Sequence, residues 1–226
     1  MQQSQGRSAG IFTFVDGPHM KHADGNRRFW ERTAHIYRFF TRGSNAGKKT
    51  YDELEAEITR HLTKKMRVLE LAAGPGILSS KAADACGSLV VTDFSDEMLS
   101  LAKKRVTNAN VTFAAADASH LQFADKSFDA VIIANALHIM PTPEKAAAEI
   151  ARVLTDGGIL IAPTFTRENS SQKFKERLMV LFGFRTYSRW THVDFIQWLS
   201  AQGFTVTYSR LIAGTPFPVS FTVCST

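Results

Sequence analysis

Apolar residues recur along the chain with two different periods, and the switches between them mark most of its elements. Short apolar runs at 67–71, 89–92, 111–115, 130–134 and 159–163 read as buried strands. Between them apolar positions return every three or four residues. This predicts a helix over 77–85 and another over 96–107, with Met98, Leu101, Ala102 and Val106 on one side. A third helix opens at Thr142-Pro143 and carries Ala147, Ile150, Ala151 and Leu154 at helical spacing. Strands alternating with helices predict a parallel sheet with crossover helices. Ahead of the first strand, Phe29, Thr33 or Ala34, Tyr37 and Phe40 share one helical face within 27–42, and Gly43-Ser44-Asn45 ends that helix. Thr50-Tyr51-Asp52-Glu53 matches a capping box, and Tyr51, Leu54, Ile58 and Leu62 stripe the helix that follows it.

Beyond Phe165 the alternation stops. The pattern predicts a helix over 170–183, an aromatic and basic connector over 184–190, and a helix that opens at the capping box Thr191-His192-Val193-Asp194 and ends at Gly203. Two β-rich runs, 204–211 and 217–224, flank Gly214-Thr215-Pro216 and predict an antiparallel hairpin at the sheet's edge. The fold class expected is α/β: a doubly wound, mostly parallel sheet with an antiparallel edge hairpin and an N-terminal helical addition. Residues 1–19 read as a polar leader, in which Gly17-Pro18-His19-Met20 resembles the remnant of a protease site before a native start at Met20. Residues 20–64 form the helical cap and 65–226 the main domain, with a lid or acceptor-side segment at about 165–203.

Composition narrows the picture modestly. At 226 residues and 44% hydrophobic the chain can bury a full core, and 17 phenylalanines favour a thick core or an aromatic-lined pocket. No run of about 18 apolar residues occurs, and the first twenty residues lack the pattern of a secretory signal. The two cysteines, Cys86 and Cys224, have no metal-ligand spacing and suggest a reducing cytoplasm. A formal charge of +6 admits nucleic acid or anionic lipid, but the basic residues are scattered, which fits a moderately basic enzyme better.

The chemistry lies where strands end. The first strand runs into Glu70 and the turn Ala72-Ala73-Gly74-Pro75-Gly76, Asp93 closes the second strand, Asp117 follows the third, and Asn135 and His138 follow the fourth. Ligands of open α/β sheets bind at such carboxyl ends. Glycines let the backbone approach a ligand, while Glu70 beside them repels a pyrophosphate and suits a cation. Asp93 stands 23 residues beyond Glu70, close to the spacing of about 20 at which an acid grips ribose hydroxyls. Asp117 suits the exocyclic amine of an adenine, and equally the capping of its own turn. Met98 and Phe94 read either as adenine-packing groups or as core.

In this order the motifs resemble those of class I S-adenosylmethionine-dependent methyltransferases, of the UbiE-like, type 11 branch that mostly modifies small molecules. Glu70–Gly76 resembles the family's first motif, 92–99 the second, 115–118 the third, 128–138 the fourth, and 154–160 the turn into the fifth strand. The resemblance covers roughly 67–163 and implies a Rossmann-like, seven-stranded sheet with S-adenosylmethionine as cofactor and S-adenosylhomocysteine as product. It implies that Gly74 and Gly76 approach the methionine moiety, Glu70 its ammonium and Asp93 the ribose. Met98 or Phe94 then packs on adenine, Asp117 and the Ala118 backbone read its amine, and Asn135 and Ala136 lie beside the sulfonium. Ala72 departs from the pattern by standing where many members have the first glycine; tight helix–strand packing tolerates that methyl.

For catalysis, His138 is the candidate base, against a packed or capping histidine, and Tyr37 the candidate cover of the donor site, against a core tyrosine. Arg185 and Arg189 suit an acidic acceptor, or plain solvation. The implied acceptor is a small molecule. Nucleic acid is disfavoured, because 135–138 is not the Asn/Asp-Pro-Pro-aromatic motif and no Pro-Cys pair occurs. No metal is expected, since Asn135 stands where a magnesium enzyme of the catechol type has an aspartate. Two other readings compete: an NAD(P)-dependent oxidoreductase, against which Ser79 and Glu70 both count, and a cofactor-binding module without catalysis. The acceptor and the oligomeric state stay open.

Overall fold

Strands form where the apolar runs predict them: the first and third with the expected bounds, the second, fourth and fifth each starting earlier. In the computed structural model, residues 45–168, 186–215 and 217–226 are described. Helix α1 spans Asn45–Arg60, followed by β1 (Arg67–Leu71), α2 (Ser79–Ala85), β2 (Ser88–Asp93), α3 (Asp96–Arg105), β3 (Val111–Ala115) and β4 (Phe128–Ile133). A 3-10 turn at Leu137–Ile139 leads to α4 (Pro143–Val153), β5 (Leu154–Ile161) and β6 (Thr164–Phe165); α5 (His192–Ala201), β7 (Thr205–Ile212) and β8 (Val219–Ser225) complete the fold. The helices expected at 27–42 and 170–183, the leader, and the first two residues of the 184–190 connector lie outside the described residues.

The sheet runs β3-β2-β1-β4-β5-β8, with β7 on the outer side of β8. Pairings from β3 to β5 are parallel, and both neighbours of β8 are antiparallel to it. The sheet thus has the edge hairpin the sequence predicts, and eight strands instead of seven. The eighth arises from Pro163, which has no N–H to donate and interrupts the ladder. β5 pairs with β8 up to Ile161, and β6 resumes the same line with Thr164 opposite Ser220. In β5, Leu154 pairs with Phe128 and Ile159 with Ala130, so 155–158 bulge outward where Gly157 takes φ 73°.

Period-two alternation sorts the buried residues onto two faces. Leu69, Leu71, Val131 and Ile133 pack with α4 and with Phe195 and Leu199 of α5. Val68, Ala130 and Ile132 pack with α1, α2 and the inner face of β8. Helix α1 belongs to this second layer through Tyr51, Leu54 and Ile58, and Glu57 anchors it to the edge strand by accepting from Arg210 at 2.6 Å. The capping box expected at Thr50 does not form: α1 begins five residues earlier, and the Thr50 hydroxyl donates to the Ala46 carbonyl inside the helix. In α3, Leu99 takes the inner place expected for Leu101; in α4, Val153 is buried and Ala151 faces out. The box at Thr191 forms in full, with Asp194 N donating to Thr191 Oγ1 and Thr191 N to the Asp194 carboxylate.

Candidate functional site: the cleft at the strand switch point

The chain leaves β1 for β2 and β3 on one side and returns to β4 on the other. That reversal opens a crevice at the carboxyl ends of β1 and β4, the usual ligand position in such sheets. Its floor is the turn after β1. Ala72, Gly74 and Gly76 all take left-handed backbone there, at φ 50°, 56° and 70°. Three hydrogen bonds fasten the turn to β2: Ala73 N to Thr92 O at 2.9 Å, Gly74 N to Asp93 Oδ2 at 2.8 Å, and Thr92 Oγ1 to Glu70 O at 2.8 Å.

The two glycines do different work. A methyl at Gly74 meets nothing within 4 Å, so that side is open space a ligand can enter. A methyl at Gly76 stands 3.1 Å from both Ala102 and Val106. Gly76 therefore permits α3 to pack on the turn, and its bare side faces protein. At Ala72 the demand is on the backbone angle, rather than on the helix–strand spacing that the sequence suggested.

Two carboxyls flank this turn in a water-poor setting. Glu70 is 2% exposed, and burial pushes its pKa up to about 7 against the pull of the Ser79 hydroxyl, with the Asp93 charge adding to the rise. Its Oε2 is buried with no hydrogen-bond partner. Asp93 is 4% exposed, and burial raises it to about 6 against the pull of the Ser95, Gly74 and Phe94 backbone N–H groups. Its oxygens already accept from Gly74 and Ser95, one each, and a carboxylate has about four acceptor sites, so capacity for hydroxyls remains.

The neighbouring positions follow in strand order. Ser95 caps α3 by accepting from Met98 N, and Met98 itself is buried at 2%. Phe94 is half-buried. Asp117 Oδ1 accepts from the backbone and hydroxyl of Ser119, so turn capping is realised and fixes the carboxyl in place. Ala118 and Ala136 are buried in the first apolar layer. After β4, Asn135 takes φ 52°, a region asparagine tolerates, donates its N–H to Pro163 O at 2.7 Å, and keeps Oδ1 buried without a partner.

His138 lies on the 3-10 turn, 4% exposed, edge-on to Phe165 with ring centres 5.9 Å apart. Burial lowers its pKa to about 4, so it is neutral at pH 7 and a weak base. Its carbonyl accepts from Tyr187 and Ser188, which seats the connector on this turn. Tyr37 and Arg185 lie outside the described residues, and Arg189 is exposed.

Sequence reasoning missed a polar line beside the cleft. His192 Nδ1 stands 2.8 Å from Ser220 Oγ, Ser220 Oγ 3.0 Å from Thr222 Oγ1, and Thr222 Oγ1 3.2 Å from Ser209 Oγ. Hydroxyls alternating along 220–222 were the available signal, and they read only as a strand. Among the described residues, no group of three or more His, Cys, Asp or Glu side chains is arranged to hold a metal ion. No described helix is long and apolar enough to cross a membrane.

Comparison with known proteins bears on this geometry. Residues 69–162 match the family described as methyltransferase domain. The chain is 45% identical over 100 residues to the demethylmenaquinone methyltransferase of Renibacterium salmoninarum, covering 44% of this chain and 41% of that one. It is 34% identical over 169 residues to the demethylmenaquinone methyltransferase of Paenarthrobacter aurescens, covering 66% of each. The chain thus spans between two fifths and two thirds of the length of these relatives. Among solved structures, it superposes on the putative methyltransferase in the complex with the Haloferax volcanii Trm112 methyltransferase activator, with a TM-score of 0.73 at 19% identity, covering 87% of this chain and 96% of that one. The last likeness speaks for the fold.

Proposed function

Because this chain belongs to the class I S-adenosylmethionine-dependent methyltransferases, we propose that it transfers a methyl group from S-adenosylmethionine to a small-molecule acceptor by in-line displacement. The observation that carries the reading is Glu70: a buried carboxyl with an unpartnered oxygen, next to a glycine turn whose Gly74 side is open. Such a site suits a cation, and the donor's ammonium is one. When bound, S-adenosylmethionine brings an electrophilic methyl on sulfur; the protein's work is alignment, which is worth on the order of 7–11 kcal/mol.

In this reading Glu70 and the Gly74 backbone hold the methionine end, and Asp93 takes the ribose hydroxyls. Phe94 and Met98 border adenine, and Asp117 with Ala118 reads its amine. Asn135 and Ala136 border the sulfonium, where the Asn135 Oδ1 without a partner suits a positive neighbour. Gly76 and Ala72 shape the turn. The base role of His138 is the part its burial argues against, and Tyr37 remains the proposed cover of the donor site. The relatives named for demethylmenaquinone make a quinol ring the first acceptor to test, and nucleic acid is set aside. We place the protein in the cytoplasm, which suits its two buried free thiols, and assign 20–64 as the cap and 165–203 as the acceptor-side segment.

Calorimetric titration tests the reading. The chain is expected to bind S-adenosylmethionine and S-adenosylhomocysteine and to ignore NAD, and Asp93→Ala to abolish binding. NAD binding alone would sink the assignment. Tight cofactor binding with no methyl transfer to any of a broad acceptor panel would instead favour a binding module without catalysis.

A further inference from the structure

The polar line at His192 adjoins the cleft and is not among the residues assigned to the donor. β6 continues past the carboxyl end of β5, and Asn135 is bonded to Pro163 immediately before it. Thr164 is fully buried, and its hydroxyl has no hydrogen-bond partner. Ser220 is its cross-strand partner, so both side chains stand on the same face of the sheet. Above them α5 begins, and His192 joins its ring to Ser220 and its backbone N–H to Glu168 Oε1 at 2.8 Å. A buried hydroxyl left unpaired costs about 1–3 kcal/mol, a cost that a ligand oxygen at Thr164 would remove.

We propose that Thr164, Ser220 and His192 form the acceptor-binding site of the transferase, and that they recognise a neutral oxygen, a ring hydroxyl or carbonyl, on an otherwise apolar acceptor. This rests on the methyltransferase reading above and specifies the acceptor for it. Hydroxyls both donate and accept, and an imidazole Nε2 does one or the other according to its tautomer, which matches an oxygen able to do either. The Glu168 carboxylate beside His192 opposes an anion. With Nδ1 held at Ser220, Nε2 is the ring nitrogen left for the ligand, and Ser220 is in turn held by Thr222 and Ser209, so the imidazole is oriented from behind. Trp190, tilted against Trp198 with ring centres 4.8 Å apart and packed on the same apolar layer as α5, supplies an apolar wall on this face. His192 is here a specificity-determining residue.

The test uses the full chain saturated with S-adenosylhomocysteine and three probes of one shape: 1-naphthol, 1-methylnaphthalene and 1-naphthoate. The wild type should bind 1-naphthol at least tenfold more tightly than either of the others. His192→Asn keeps a group able to reach Ser220 and loses Nε2; it should erase the preference while S-adenosylhomocysteine affinity stays within twofold. Thr164→Val, nearly the same shape, should cut the preference at least threefold and serves if the first variant folds poorly. Equal binding of naphthol and methylnaphthalene by the wild type overturns the proposal, as does tighter binding of naphthoate or a preference that survives both substitutions. Failure of the wild type to bind S-adenosylhomocysteine at all overturns the methyltransferase reading instead, and this site with it.

Discussion

Replacing Ala72 by glycine isolates the strain stored in the cleft floor. At φ 50°, Ala72 is held in left-handed backbone by the bonds that Ala73, Gly74 and Thr92 make between the turn and β2. An L-residue there pays about 1–2 kcal/mol that glycine does not. The gain is partly hidden, because glycine adds about 0.4–1 kcal/mol of unfolded-state entropy and gives up a half-buried methyl. Ala73→Gly supplies the control: Ala73 is also half-buried but does not take positive φ, so it suffers the same losses without the relief. The two variants should therefore differ by about 1–2 kcal/mol in favour of Ala72→Gly. In a chain of this size that separates their melting temperatures by roughly 2–8 °C. Urea denaturation with a shared m-value gives the same difference as free energy. Equal destabilisation of the two variants would refute the claim that the backbone angle is what position 72 demands.

Adding a methyl to each cleft glycine should separate their roles. Gly76→Ala combines left-handed strain with crowding of Ala102 and Val106 and should cost about 2–4 kcal/mol, whereas Gly74→Ala should cost only about 1–2 kcal/mol but weaken S-adenosylhomocysteine binding at least tenfold. Glu70, with its pKa near 7, should release roughly half a proton to one proton when the donor's ammonium binds at pH 6.5, and almost none at pH 8.5. Calorimetry in two buffers of different ionisation heat reads this, and Glu70→Gln should remove most of it. Without ligand the sign runs the other way: the folded state keeps a proton the unfolded chain has lost, so stability falls as pH rises from about 4.5 to 7, by on the order of 3 kcal/mol, and the same variant flattens that slope. His138→Asn should leave the shape of the pH–rate profile between pH 6 and 9 unchanged, since the wild-type ring is already neutral throughout; loss of a limb in that range would restore His138 as a base.

What the chain discloses about itself depends on the length scale over which each feature is decided. The alternation of strands and helices, the edge hairpin and the acids at successive strand ends are legible because each rests on a local pattern. Features decided by distant neighbours are not. Thr50 carries every local sign of a capping box, yet its place inside α1 is settled by packing of Tyr51 and Leu54 under the sheet, and its hydroxyl accepts from Thr215, 165 residues away. Pro163 was visible, but that it splits one strand into two follows only from the ladder on β8 it cannot join. Gly74 and Gly76 look interchangeable in sequence and differ because α3 lies over one of them. His138 and His192 show the same limit in the chemistry. The first stands beside a motif, yet burial makes it a weak base; the second lies in a helix start, and tertiary structure gives it a hydroxyl partner 28 residues on. The donor side of a site like this is written in contiguous motifs because one cofactor shape must be met. The acceptor side is assembled from α5, β6 and β8, and no stretch of the sequence holds those three together.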